Sequence, residues 1–129
     1  MFTLRRAFLV ALLAVIGQSA PASAQAVASD KFVATIVIAK IPPGTPRAKL
    51  EEGFAASVPT YQKIPGLVRK FYTVNADSFG GMYLWQDRAS AEAWFTPEFI
   101  AKAKARAGVE PQIIYFDSPI QLDNRAASK

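Results

Sequence analysis

The chain of 129 residues contains no histidine and no cysteine. Histidine-ligated haem, a thiolate nucleophile and the usual transition-metal sites each need one of these side chains, so the sequence excludes them. Without cysteine the chain forms no disulfide and has no residue for a lipoprotein anchor. Its stability must therefore come from packing and from partners.

Two further kinds of site are missing from the sequence. The ten acidic residues are scattered, and the neighbours Glu51 and Glu52 have the pattern of a solvated first helical turn. No glycine-rich phosphate loop follows a predicted strand, because Gly80 and Gly81 precede one. We therefore expect no metal and no cofactor, and neither a nucleotide site nor a flavin site.

Residues 1–24 have the pattern of a secretory signal peptide. Arg5 and Arg6 give a positive start, an apolar run over 7–16 follows, and small residues up to Ala24 make the cleavage site. The alternative, an uncleaved anchor, is disfavoured because the apolar run is shorter than the roughly 20 residues of a membrane-spanning helix. We expect a periplasmic or secreted protein; the paired arginines leave the Sec and twin-arginine routes both open.

Removal of the leader leaves one small domain of 105 residues with a net charge of +3, since the leader holds two arginines and no acid. The densest basic cluster, residues 102–106, has helical spacing and suits the last turn of a helix. It gives no case for nucleic-acid binding. Residues 25–31 are predicted to be a flexible lead-in, 32–118 the folded domain and 119–129 a polar tail.

The hydrophobic pattern predicts the element order β-α-β-β-α-β. Strands are indicated over 32–41, 67–75, 80–86 and 112–117. Helices are indicated after the cap residues Thr45, Asp87 and Thr96, and Gly108 suits the end of the last helix. Pro59 lies within the first helix and is expected to kink or end it.

This order is the split βαβ arrangement of an α+β, ferredoxin-like fold, in which an antiparallel four-stranded sheet carries its helices on one face. The first strand is apolar on both faces, with Ile36 and Ile38 on one and Val33 and Val37 on the other. Both faces of the sheet should therefore be covered. Since the helices cover only one, we expect a homodimer in which two sheets pair face to face.

The stretch from Pro65 to Ala91 carries a family resemblance. Its features are Pro65-Gly66-Leu67, Lys70, Gly80-Gly81, Tyr83-Leu84 and an acid that opens a small-residue helix, Asp87-Arg88-Ala89-Ser90-Ala91. In these features the chain resembles the YdhR-type monooxygenases of the dimeric α+β barrel superfamily, to which the antibiotic-biosynthesis monooxygenases are related.

The resemblance implies a dimer whose two sheets close a barrel, with a small pocket between each sheet and its helices. It also implies oxygenation without a cofactor, in which a phenol or hydroquinone loses a proton and donates an electron to O₂ itself. The protein then supplies orientation, desolvation and stabilisation of charge.

The predicted pocket is aromatic. Its candidate lining residues are Gly81, Tyr83, Trp85, Trp94 and Phe99, since Gly81 withholds side-chain bulk on the strand face of Tyr83 and Trp85. The alternative is that these aromatic side chains form only the core.

The candidate catalytic residues lie on the second strand. Lys70 and Tyr72 share one face and Arg69 lies on the other. A cation that points inward could stabilise a phenolate, whereas the alternative is an edge cation in water. The identity of a general base stays open.

The expected function is cofactor-independent monooxygenation of a small aromatic, phenolic or other hydrophobic compound. Two alternatives stay open at this stage. One is a non-catalytic periplasmic binder of small hydrophobic molecules, and the other is a barrel with a purely structural or accessory role.

Overall fold

The computed structural model describes residues 26–28 and 31–127. In chain order the elements are β1 (Ala26–Ala28), β2 (Val33–Lys40), α1 (Arg47–Gln62), β3 (Leu67–Val74), β4 (Ser78–Trp85), α2 (Arg88–Trp94), α3 (Pro97–Ala107), β5 (Gln112–Asp117), β6 (Ile120–Leu122) and a short 3₁₀ helix (Asn124–Ala127). The predicted signal peptide lies outside the described residues. None of the described helices is long and apolar enough to cross a membrane.

Four strands form one antiparallel sheet in the order β3-β4-β2-β5. The doubly apolar strand β2 is central, since it pairs with β4 from Val33 opposite Trp85 and with β5 from Val33 opposite Asp117. Side chains of all three α-helices pack against the same face of this sheet. The predicted α+β, ferredoxin-like arrangement with helices on one face is therefore confirmed.

The core lies where α2 crosses the sheet. Its buried members are Val37, Tyr83, Trp85, Ala91 and Phe95. The Trp85 ring is fully buried and stacks on Tyr83, with ring centroids 5.8 Å apart and an angle of 11° between the planes. Its indole Nε1 donates to the buried Thr35 Oγ1 at 3.0 Å, so these two buried polar groups satisfy each other.

Local signals fix the corner between α2 and α3. The Asp87 carboxylate caps α2 by accepting from the Ser90 backbone N–H at 2.8 Å. The Thr96 hydroxyl caps α3 by accepting from the Phe99 backbone N–H at 3.2 Å. Gly108 ends α3 with φ at 80°, a conformation that favours glycine. These three predicted boundaries are confirmed.

Helix α1 differs from its predicted form at both ends. It begins at Arg47, with Pro46 rather than Thr45 in the capping position and no side-chain capping hydrogen bond. It also continues through Pro59 to Gln62. The carbonyl of Ala55, which loses its hydrogen-bond partner to Pro59, belongs to an exposed residue and can bond to water instead.

The β3–β4 hairpin is tighter than predicted. Strand β4 begins at Ser78, so Gly80 and Gly81 lie inside the strand rather than at its start. Asn75 makes the turn, because its Oδ1 accepts from the backbone N–H groups of Asp77 and Ser78 at 3.1 and 2.8 Å.

A β-bulge between Leu67 and Arg69 shifts the register of β3 against β4. Strict alternation predicts Leu67 and Arg69 on one face. The extra residue in the bulge instead places Leu67 against the core, on the face of Lys70.

Residues 26–28 and 120–122 pair as a separate antiparallel ribbon. The ribbon lies within the segments predicted as a flexible lead-in (25–31) and a polar tail (119–129), and each three-residue strand gives the other its backbone hydrogen-bond partners. After the ribbon, Asp123 accepts from Arg69 Nη1 at 3.0 Å. The ion pair links the segment that follows β5, on one edge of the sheet, to β3 on the other.

The sheet face opposite the helices is open in the single chain. Each strand of the sheet contributes a large apolar side chain that is about half exposed: Ile38 (41%), Phe71 (51%), Met82 (48%) and Phe116 (48%). This is the face that a second copy is predicted to cover.

Candidate functional site

Helices α1 and α3 lie over the sheet without fully burying any residue of their own. The space between them and the sheet is a cavity of about 350 Å³. The domain is therefore packed at the end where α2 crosses the sheet and hollow under α1 and α3.

The sheet forms the floor of the cavity and the two helices form its walls. The floor includes Lys70, Tyr72, Phe79, Gly80 and Tyr83. The walls include Leu50, Phe54, Ser57 and Tyr61 from α1, and Phe99, Lys102 and Arg106 from α3. A mostly apolar surface with a few convergent polar groups is typical of a small-molecule site.

Lys70 lies in a cage of three tyrosine rings. Its Nζ is 3.0 Å from the ring centroid of Tyr61, 4.0 Å from that of Tyr72 and 4.8 Å from that of Tyr83. Among the described residues it has no ion-pair partner and no hydrogen bond. Burial lowers the pKa of Lys70 to about 7, while the ring faces favour its charged form. Both protonation states are therefore accessible near neutral pH.

The cage tyrosines differ in what their hydroxyl groups can do. The Tyr72 hydroxyl lies 2.8 Å from Ser57 Oγ, and Ser57 Oγ donates to the Phe54 carbonyl at 2.9 Å. The Tyr72 proton is therefore directed towards Ser57. Burial raises the pKa of Tyr61 and of Tyr83, so both hydroxyl groups stay protonated near neutral pH.

Gly81 gives the Lys70 side chain its room. A Cβ at this position would lie 3.2 Å from Lys70 Cε and 3.0 Å from the Tyr83 ring. It would also lie 2.9 Å from the backbone carbonyl oxygen of Phe71. The absence of a side chain at Gly81 therefore leaves space for Lys70 and Tyr83 in the cage, although Gly81 itself is not on the cavity surface.

A second depression runs along the β3 edge of the sheet. It shares the cage residues Tyr61, Lys70 and Tyr72 with the main cavity. Lys70 therefore borders both depressions.

The predicted pocket residues divide into two groups. Tyr83 and Phe99 line the cavity, whereas Gly81, Trp85 and Trp94 do not. Trp85 is in the core, and Trp94 packs edge-on against Tyr61 with ring centroids 5.3 Å apart. The prediction placed the opening beside Trp85, but α2 fills that end of the sheet.

The predicted catalytic residues lie on both faces of β3. Lys70 and Tyr72 line the cavity, whereas Arg69 belongs to the opposite face of β3. The Arg69 guanidinium pairs with Asp123 and lies 4.9 Å from the centroid of the Phe71 ring. Arg69 is therefore absent from the main cavity, because neighbouring strand residues point to opposite faces, but it lines the second depression.

Sequence reasoning missed three side chains at this site. Tyr61 supplies the ring nearest to Lys70, but in the sequence it has the spacing of an ordinary core residue of α1. Lys102 and Arg106 belong to a cluster that resembles a solvated helix end. The one available signal was their spacing of four, which puts both on one face of α3.

The site has no acidic cluster suited to a metal ion. Within residues 26–28 and 31–127, no group of three or more metal-ligating side chains comes together.

No protein-family model matches the sequence, and a search of curated proteins finds no match either. Solved structures do match. A protein of unknown function from Nitrosomonas europaea is 20% identical, with a TM-score of 0.56 over 69% of this chain and 90% of that one. A proposed antibiotic biosynthesis monooxygenase from Bordetella bronchiseptica is 15% identical, with a TM-score of 0.53 over 68% of this chain and 97% of that one.

A third match is SnoaB, a cofactor-independent oxygenase from Streptomyces nogalater. It is 19% identical, with a TM-score of 0.48 over 70% of this chain and 94% of that one, which is too distant to support an argument. At their identities, the first two matches show a shared fold. The chain therefore has the α+β, ferredoxin-like fold of these two proteins.

Proposed function

We propose that this protein is an exported monooxygenase that oxidises a small aromatic compound without a cofactor. The observation that carries the proposal is the position of Lys70 in an aromatic cavity, where it has no ion-pair partner among the described residues and burial lowers its pKa to about 7. A neutral amine can take the proton of a phenol at this pH, and the resulting ammonium stabilises the phenolate beside it.

The proposed reaction uses only the substrate and O₂. A phenol with a free para position gives its hydroxyl proton to Lys70, and the phenolate then donates electrons to O₂. One oxygen atom enters the ring as the second carbonyl of a quinone, and the other leaves as water. The substrate supplies all the electrons, and the cavity holds the ring in place and excludes water.

Three likenesses support this reading. The stretch from Pro65 to Ala91 resembles the YdhR-type monooxygenases, and the Bordetella bronchiseptica protein of the same fold is itself a proposed monooxygenase. Residues 1–24 resemble a signal peptide, which supports export. The open sheet face supports a homodimer as the functional unit.

Oxygen uptake and quinone formation with a panel of phenols test the proposal. The Lys70→Met variant should lose about 100-fold or more in kcat/KM, the usual scale of general-base catalysis. In the wild type, kcat/KM should rise as the pH passes about 7, because only the neutral amine accepts a proton. The variant should lack this rise.

Lys63→Met is the matched control, since Lys63 is exposed and lies outside the cavity. Phenols that bind without any oxygen uptake would overturn the proposal and favour the non-catalytic binder. Full activity in a folded Lys70→Met variant would show that Lys70 takes no part in the reaction.

A further inference from the structure

The cavity carries positive side chains and no acidic one. Four of its lining residues are cations, namely Lys49, Lys70, Lys102 and Arg106, and none is aspartate or glutamate. A cleft lined by one sign of charge, with walls of low dielectric constant, concentrates ligands of the opposite sign.

The cations of α3 differ in whether they form an ion pair. Lys104 does not line the cavity, and its Nζ lies 3.5 Å from a carboxylate oxygen of Glu110. Lys102 and Arg106 do line the cavity, and neither has an ion-pair partner in the described part of the chain. Among the described residues, the unpaired cations of this helix are thus the ones at the cavity.

The wall of α1 is less positive. Lys49 lies 3.3 Å from a carboxylate oxygen of Glu52, and both side chains are exposed. This ion pair partly neutralises Lys49 at the cavity. The strongest site for a negative group is therefore on the α3 side, where neither Lys102 nor Arg106 has an ion-pair partner among the described residues.

The charge of Arg106 also acts inside the cavity. Burial raises the pKa of the Tyr61 hydroxyl, and the Arg106 charge opposes that rise. Because Tyr61 is the cage ring nearest to Lys70, the positive potential of α3 extends as far as the tyrosine cage.

We infer that the ligand of this cavity is an aromatic carboxylate, with its carboxylate on Lys102 and Arg106 and its ring towards the tyrosine cage. The planar guanidinium of Arg106 can bind a carboxylate through two parallel hydrogen bonds, and Lys102 adds a second charge. The inference rests on the proposed function in treating the cavity as a small-molecule site, and it names the substrate class.

Calorimetric titration under nitrogen tests the inference with a matched pair of probes. The probes are 6-hydroxy-2-naphthoic acid and its carboxamide, which differ in charge and hardly in shape. The wild type should bind the acid about tenfold more tightly than the amide, as expected for one charge-assisted hydrogen bond. Added salt should reduce this preference.

The double variant Lys102→Gln/Arg106→Gln should bind the acid about tenfold more weakly and the amide unchanged. Lys104→Gln, on the same helix but outside the cavity, should leave both affinities as they are. Circular dichroism checks that the double variant is folded, as expected for two exposed side chains.

Equal binding of acid and amide by the wild type would overturn the inference, and so would an acid preference that persists in the folded double variant. Because the titration contains no O₂, an absence of oxygenation leaves its result standing. Conversely, oxidation of neutral phenols without any preference for the acid would support the proposed function but contradict the inference that the ligand is a carboxylate.

Discussion

Lys70 is surrounded by aromatic ring faces, whereas a buried cation in a protein is usually paired with a carboxylate. Its Nζ approaches three rings, and no acid lines the cavity around it. Ring faces attract a cation less strongly than an ionised partner does, so they only partly replace the water that the ammonium loses. The charged form of Lys70 therefore lowers the stability of the fold.

Replacement of Lys70 by methionine should raise the melting temperature at neutral pH. The folded-state pKa of about 7 lies below the ordinary value of 10.5, so between these limits the unfolded chain binds more protons. Wild-type stability should therefore rise with pH across this window. The Lys70→Met variant lacks this titration, so its advantage should be largest below pH 7 and shrink as the pH approaches 10.5.

Thermal denaturation across that pH range measures the difference between the two proteins. Lys63→Met should follow the wild type, since Lys63 is exposed. A difference that does not change with pH would contradict the assignment of a low pKa to Lys70.

Strands β2 and β4 leave no room for a side chain at Gly80. A Cβ at Gly80 would overlap the carbonyl oxygen of Val37 and lie 2.8 Å from its carbonyl carbon. Both atoms belong to the backbone of the central strand, so a side chain at Gly80 would have to push the two strands apart.

The Gly80→Ala variant should therefore lose about 2 kcal/mol or more of its free energy of unfolding, as in other overpacked sites. Gly53→Ala is the matched control in α1, because a Cβ there meets nothing within 4 Å. Since alanine favours a helix, that variant should gain up to about 1 kcal/mol. Urea denaturation of both variants should show these opposite signs, and a loss in both would contradict the strand-specific explanation.

The sequence predicted the elements where the signals are local. Asp87, Thr96 and Gly108 act through hydrogen bonds or dihedral angles within a few residues, and each was predicted in its place. The bulge after Leu67 and the ribbon of 26–28 with 120–122 depend on pairing between distant segments, which no local pattern records.

The same division applies to the candidate site. Alternation put Lys70 and Tyr72 on one face of β3 and named Tyr83 on β4 as a pocket residue, and all three line the cavity. The place of Trp85 depends on how α2 packs along that face, and the ring of Tyr61 reaches Lys70 only through the position of α1. Both are properties of helix packing, so spacing alone could not supply them.

At the scale of the whole molecule, the described residues leave an apolar sheet face uncovered, made by Ile38, Phe71, Met82 and Phe116. One large side chain from each of the four strands makes this surface continuous across the sheet. A soluble monomer seldom keeps such a face exposed, which is the physical basis for expecting a homodimer.

Sedimentation equilibrium should give the mass of two chains for the wild type and of one chain for Met82→Lys. The reason is that a lysine in the middle of the paired sheets would be buried without a partner charge. Val109→Lys is the matched control, since Val109 has a similar exposure (49% against 48% for Met82) but follows α3, away from the sheet face. A wild-type monomer at micromolar concentration would contradict the dimer.

The depression along the β3 edge has a consequence for the order of events in a turnover. A substrate that fills the main cavity covers one side of Lys70, while the second depression leaves its other side near bulk water. Under the proposed function, the proton that Lys70 takes from the substrate would therefore pass to solvent before the product departs. The amine would then be neutral again while the cavity is still occupied, and its recovery would not wait for product release.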